Sequence, residues 1–194
     1  RTAIHKALET FIRSYPSGPP KDAESRFIEI ADQVFADSNI PRATLALWRP
    51  RFVRAAHWFV GVERGRRENI VKAHVELRGE MKFMSPGGEF LLYGRADRID
   101  ELTYGNGAIL DYKTGAPPSE KQVAQIIAAQ LPLEAAMLAE GGFTEAGKLS
   151  PTELIYIRFA GGAKPGVVRT IKADAHELAV RAKELLVARV AQFD

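Results

Sequence analysis

The sequence contains no cysteine. That excludes disulfides, zinc–thiolate sites and thiolate-held iron–sulfur clusters within these residues. It has no run of eighteen apolar residues, so no membrane-spanning helix is expected. No signal peptide is visible, and neither internal repeats nor a low-complexity linker interrupt the chain. The histidines, His5, His57, His74 and His176, show no zinc-ligand spacing. A Walker A loop, a Gly-x-Gly-x-x-Gly turn and a G-x-S-x-G elbow are all missing, which removes the common nucleotide-binding and serine-hydrolase readings. Charge of one sign is also scarce: the net charge is +3 with a pI near 9.2. That balance suits an ordinary solvated surface or a modest attraction for polyanions.

What is present is enough for one generous domain of 194 residues with a full hydrophobic core. The chain starts Arg1-Thr2-Ala3-Ile4 without an initiator Met, inside a helical pattern. It is therefore expected to be a single domain, 1–194, cut from a longer protein. Ile4, Ala7, Leu8, Phe11, Ile12 and Tyr15 predict an amphipathic helix over 3–15, ended by Pro16 to Pro20. A second helix is expected over 22–36. A third follows Asn39-Ile40-Pro41, with the proline in its first turn, and runs to about Gly65. Strands are expected over 71–83 and 89–103 around Ser85-Pro86-Gly87-Gly88, then over 108–113 after Tyr104-Gly105-Asn106-Gly107. A helix or helix pair covers 119–140, with Pro132 opening or kinking a segment. Two strands, 154–160 and 167–172, precede a last helix over 175–192, for which Asp174 and Glu177 suggest a capping box. This order predicts an α/β domain with a mixed sheet flanked by helices.

Period two places Asp111 and Lys113 on one face of their strand and Tyr112 on the other. It groups Tyr93, Arg95, Asp97 and Ile99 on the preceding strand, so Asp97 and Asp111 meet if both point to the same side. Two carboxylates so placed hold a hard divalent cation, and a lysine beside them offsets charge on a phosphoryl group. A solvated strand face of alternating charge explains the same residues without catalysis. His5 lies at the edge of the first helix's buried stripe, as a boundary residue or an imidazole ligand. Gln130 falls on an apolar stripe and needs a partner, either a backbone carbonyl or the site. Glu134, one turn on, carries the same ambiguity. Glu76 and Glu80 read as exposed strand carboxylates by default. Of Arg95 and Arg98, one is expected to face the site and contact phosphate, the other to be solvated or paired.

Ile4-His5-Lys6-Ala7-Leu8-Glu9, Gly94-Arg95-Ala96-Asp97-Arg98-Ile99-Asp100, Asp111-Tyr112-Lys113-Thr114-Gly115 and Gln130-Leu131-Pro132-Leu133 occur in that order. Together they resemble the RecB-like branch of the PD-(D/E)xK nuclease superfamily. Within it, the nearest likeness is to the C-terminal nuclease domain of AddB subunits of AddAB helicase–nucleases of the alphaproteobacterial type. The resemblance implies a restriction-endonuclease-like core. It implies that His5, Asp97, Asp111 and the Tyr112 carbonyl bind a metal, Mg²⁺ with Mn²⁺ as substitute, and that Asp97, Asp111 and Lys113 form the catalytic set. Gln130 matches the glutamine of the family's Gln-x-x-x-Tyr motif; Arg95, chosen for its place beside Asp97 and not for a family match, is the expected auxiliary phosphate contact. Two departures stand out. Glu134 occupies the motif's tyrosine position, and the four cysteines that hold a [4Fe–4S] cluster in many AddB relatives are missing, so no cluster is expected.

The expected activity is a Mg²⁺-dependent deoxyribonuclease that cuts one DNA strand during double-strand-break end resection. Its partners would be single-stranded DNA and an AddA-type helicase–nuclease subunit, with no membrane, in the bacterial cytoplasm at the nucleoid. Two alternatives stay open: a nuclease fold used for DNA binding or subunit docking, and a standalone RecB-like exonuclease.

Overall fold

Thr2 begins the described chain, which runs over residues 2–193 in a computed structural model. Its side chain accepts the His5 N–H and caps α1 (Ala3–Ser14). The expected stripe of Ile4, Ala7, Leu8, Phe11 and Ile12 is buried. α2 (Ala23–Ala36) buries Ala23, Phe27, Ala31 and Phe35 against it. α3 (Arg42–Arg67) follows, with Pro41 at its N-cap rather than in its first turn. α3 continues through Pro50. The residues around that proline are exposed, so solvent reaches the carbonyl it leaves unbonded. The three helices close on a cluster of rings, with Phe11–Phe27 centroids 4.6 Å apart and Phe27–Phe52 centroids 5.2 Å apart.

The expected meander forms as β1 (Ile70–Ser85), β2 (Gly88–Leu102) and β3 (Asn106–Lys113). Gly88 takes φ +126° to turn the first hairpin, a conformation that favours glycine. The 119–140 region is a helix pair: α4 (Glu120–Ala124) and α5 (Gln130–Ala139). Pro132 sits in the first turn of α5, where no intrahelical N–H is needed. β4 (Ser150–Phe159), β5 (Gly166–Thr170) and α6 (Ala175–Val190) complete the order. Asp174 caps α6 through the Glu177 N–H without the return bond; the reciprocal capping box is at Ser119 and Gln122.

The sheet order is β1-β2-β3-β4-β5. β3 and β4 are parallel and every other pair is antiparallel, which makes the sheet mixed. Both faces are covered. Ala108, Leu110 and Tyr112 of β3, with Ile155, Ile157 and Phe159 of β4, pack under α1–α3. Ile109, Leu154 and Tyr156 pack on the opposite side with α5 and α6. Among the described residues no helix is long and apolar enough to cross a membrane.

One irregularity sets up everything below. β1 and β2 pair Leu77 with Ala96 and Val75 with Arg98, without pairing Glu76 to Asp97, and Glu76 takes φ 56°. Leu77 and Ala96 pack toward α5, whereas Val75 packs toward α1–α3. The ribbon exchanges its buried face at this point without a register shift, through the left-handed backbone of Glu76.

Just beyond it Arg98 is fully buried. Its Nε donates to Asp100 Oδ1 at 2.6 Å, and one Nη donates to Glu63 Oε1 at 2.5 Å and to the Tyr112 hydroxyl at 3.2 Å. Arg66 and Arg67 of α3 serve the outer oxygens of Asp100 and Glu63. Burial alone would lower the pKa of this guanidinium, but Asp100 and Glu63 outweigh it and hold it charged. Arg98 is thus neither solvated nor turned to the candidate site; it ties α3, β2 and β3 together. Replacing it strands two buried carboxylates. Arg98→Met is expected to lower the unfolding free energy by about 3 kcal/mol or more, read from urea titration; a loss below about 1 kcal/mol would contradict the role given to this network.

Candidate active site

The ladder between β2 and β3 stops at Arg98↔Leu110. Tyr112, two residues farther along β3, therefore has no strand partner on that side for its backbone groups, and buried backbone groups must be paired. Side chains take the place of the strand. The Tyr112 N–H donates to Asp97 Oδ2 at 3.0 Å. His5 Nε2 lies 2.7 Å from the Tyr112 carbonyl oxygen and 3.8 Å from Asp97 Oδ2. The other ring nitrogen, Nδ1, is 2.5 Å from the Thr2 hydroxyl. These partners assign the tautomer: Nε2 donates to the carbonyl and Nδ1 accepts from Thr2. A residue of α1 and a residue of β2 thus meet on the backbone of one β3 residue, Tyr112.

Asp111 and Lys113 flank Tyr112 and turn toward α5. Asp111 is 3 % exposed. Its Oδ1 accepts from Gln130 Nε2 at 2.8 Å, and its Oδ2 lies 2.8 Å from Lys113 Nζ, an ion pair whose angle falls short of a hydrogen bond. Gln130 also donates to Glu134 Oε1 at 3.1 Å and accepts from Lys113 Nζ at 3.4 Å. The polar residue on the α5 stripe is therefore turned into the cluster rather than onto a backbone carbonyl. Burial pushes the Asp111 carboxyl above its usual range; Lys113 and Gln130 oppose the shift and Asp97 adds to it. Burial pushes Glu134 further, up to about 8, opposed by Gln130 and reinforced by Asp111 and Asp97. Glu134 is protonated at neutral pH, and its Oε2 is buried without a hydrogen-bond partner.

Among the described residues, no three His, Asp or Glu side chains form a ready-made metal cluster. The donors here are of mixed kind: two carboxylates, the Tyr112 carbonyl oxygen and one imidazole. They fit a hard divalent cation in chemistry, since oxygen donors with an optional imidazole suit Mg²⁺ and Mn²⁺. The raised Asp111 carboxyl and its repulsion by Asp97 are the electrostatic tension that a dication relieves. A cation held here would compete with His5 for the Tyr112 carbonyl and with the Tyr112 N–H for Asp97.

The remaining sequence candidates fall elsewhere. Arg95 is half-exposed and its Nε lies 3.1 Å from Glu76 Oε2, with no contact to Asp97, Asp111 or Lys113. Glu80 is exposed beside Lys82. Two residues were not legible from the sequence. Tyr156 pairs across the parallel ladder with Asp111, and its ring centroid lies 5.8 Å from Lys113 Nζ. Burial raises its phenol pKa, with Asp111 and Glu134 adding to the effect. Arg158 pairs with Lys113. Only the β3–β4 pairing reveals either. An apolar cavity of about 240 Å³ opens beside the cluster, bounded by Thr2, Ile40, Phe35, Trp48 and Thr114.

A model of the PD-(D/E)XK nuclease superfamily matches residues 2–193. An uncharacterized protein of Rickettsia conorii is 30% identical over 151 residues, covering 76% of this chain and 18% of its own length. An uncharacterized protein of Rickettsia bellii is 28% identical over 148 residues, with the same coverage, 76% and 18%. The chain thus spans 18% of the length of these curated relatives. Among solved structures, the crystal structure of SSO0001 superposes with a TM-score of 0.37 at 16% identity, covering 94% of this chain and 74% of that one.

Glu134 gives the metal-free protein a pH signature. Its folded pKa, about 8, lies above the ordinary value of 4.5. Protonation therefore favours the fold, and that stability is lost as pH rises through the folded pKa. The melting temperature of the protein in EDTA is expected to fall between pH 4.5 and about 8, the interval separating the two pKa values. Glu134→Gln, which stays neutral, should flatten that fall; parallel pH profiles for the two proteins would refute the protonated buried carboxyl.

Proposed function

We propose that this chain, which belongs to the PD-(D/E)XK nuclease superfamily, is a metal-dependent DNA nuclease domain that cuts a single strand within a longer protein. The observation that carries this reading is the convergence on the Tyr112 backbone. Asp97 and His5 sit on its N–H and carbonyl, with Asp111 and Lys113 on either side in sequence.

In this reading Asp97, Asp111, the Tyr112 carbonyl and His5 hold Mg²⁺, for which Mn²⁺ substitutes. The cation, when bound, polarises the phosphoryl group and makes a water more acidic. Hydrolysis adds the water oxygen to phosphorus and breaks the bond from phosphorus to one sugar oxygen. Lys113 Nζ offsets negative charge as it grows on the phosphoryl oxygens. Gln130 holds both Asp111 and Lys113, so it fixes the distance between ligand and ammonium. Glu134, neutral at pH 7, adds a hydrogen-bonding partner for Gln130 without adding charge to a site that already holds two carboxylates.

The cavity walled by Phe35 and Trp48 supports an unpaired rather than a base-paired substrate. It begins one residue past Lys113, at Thr114. Aromatic walls hold single strands by stacking on exposed bases. The broader assignment, the nuclease part of an AddB-type subunit acting with an AddA-type helicase in cytoplasmic end resection, rests on the motif resemblance. The alternative, a nuclease fold that binds DNA without cutting it, uses the same fold and predicts binding without turnover.

Magnesium titration of the domain with a labelled oligonucleotide separates the two. Asp111→Asn and Lys113→Ala are each expected to slow cleavage by roughly 100-fold or more with the melting temperature little changed; wild-type rates in either variant would sink the nuclease assignment of these residues. Trp48→Ala should weaken single-strand binding about 10-fold and leave duplex binding unaltered; equal loss on both substrates would remove the stacking role.

A further inference from the structure

Four of the five buried or half-buried arginines among the described residues have partners. Arg66 and Arg98 donate to Asp100, Arg67 to Glu63, and Arg169 to the Pro117 and Pro118 carbonyls. Arg158 is the exception: its Nε is buried without a hydrogen-bond partner and it forms no ion pair. An unpaired, partly desolvated guanidinium is costly, and the cost persists where a ligand compensates it.

The position of Arg158 says which ligand. It lies near the C-terminal end of β4, paired across the parallel ladder with Lys113 near the C-terminal end of β3. Ile157 and Phe159 pack under α1–α3, whereas Tyr156 packs toward α5 with Asp111 as its ladder partner. Alternation therefore puts Arg158 on the same face of the sheet as Asp111 and Lys113. Ligands of sheets with parallel strands bind outside the carboxyl ends of those strands. Arg169, the β5 partner of Tyr156, is occupied in holding the 117–118 backbone, which leaves Arg158 as a cation of this edge without a partner among the described residues.

We propose that Arg158 forms a phosphate subsite: it binds a phosphate of the single DNA strand next to the one that is cut. The proposal rests on the nuclease reading for the identity of the strand. A guanidinium presents parallel N–H donors that match phosphate oxygens, which makes it the stronger choice over lysine for holding a phosphate in register. The strand then crosses the β3–β4 edge with Lys113 at the scissile phosphate and Arg158 at its neighbour. Arg158 is a substrate-binding residue, not a metal ligand.

The test uses Arg158→Met, which keeps the aliphatic stem and removes the charge, and Arg158→Lys, which keeps the charge and loses the fork. KM for a short oligothymidylate in magnesium should rise roughly 10-fold in Arg158→Met with kcat nearly unchanged. Binding of the same oligonucleotide, followed by fluorescence anisotropy in calcium, should show a salt dependence whose logarithmic slope drops by about 0.7 in Arg158→Met and is retained in Arg158→Lys. On wild-type protein, neutral methylphosphonate linkages placed one at a time should reveal one position, beside the cut, where loss of charge costs binding. That arm does not depend on a variant folding. Equal KM and equal salt slopes in wild type and Arg158→Met, or no sensitive linkage beside the cut, would overturn the subsite. Cleavage that persists with equal slopes removes the subsite and leaves the nuclease reading. Altered slopes without any cleavage leave the subsite and remove the nuclease.

Discussion

Tyr112 is the residue on which the site is assembled, because all three of its polar groups are claimed by different parts of the chain. Its N–H is held by Asp97, its carbonyl by His5 and its hydroxyl by Arg98. The cause is topological. β2 leaves β3 at Arg98↔Leu110, and the two backbone groups exposed by that departure are buried and require partners. Satisfying them with side chains rather than another strand brings a carboxylate and an imidazole to the place where Asp111 and Lys113 already emerge. Framework and chemistry are built from the same hydrogen bonds.

Electrostatics explains the second feature, the division of labour along Gly94 to Asp100. Asp97 turns into the candidate site, while Arg98 and Asp100 turn toward α3 and are fully buried. A buried ion pair is weak as a source of net stability, but its geometry fixes relative position. Here it fixes the distance of β2 from α3 and the lateral position of the Tyr112 ring, and hence the backbone groups of Tyr112 that Asp97 and His5 hold. The acidic side of the site is kept tolerable in a different way. Glu134 remains protonated, so α5 contributes hydrogen bonding without a third buried negative charge.

Much of this was legible beforehand and some was not, for reasons that differ by residue. The stripe of α1, the three-strand meander and the alternation of Asp111, Tyr112 and Lys113 depend on local periodicity, and each appears where the pattern puts it. Arg95 was selected because period two groups it with Asp97. The irregularity at Glu76 breaks that grouping and leaves Arg95 paired with Glu76 instead. Tyr156 and Arg158 carried no signal, because a parallel neighbour some forty residues along the chain leaves no local trace. Gln130 was visible as a polar residue on an apolar stripe, but not the fact that it bridges Asp111, Lys113 and Glu134.

The amino-acid order by itself determined the elements and the mixed character of the sheet, which follow from hydrophobic period and turn residues, both of them local. The acids, the imidazole and the lysine proposed for phosphodiester cleavage were singled out by the resemblance of their motifs to those of a known family. Tertiary structure alone decided that His5 reaches across to a peptide 107 residues away. It decided that Glu134 loses its charge, and that Arg158 stands beside Lys113 without a partner. Each of these depends on burial and on which strands lie side by side, and those are properties of the packed chain, not of any segment of it.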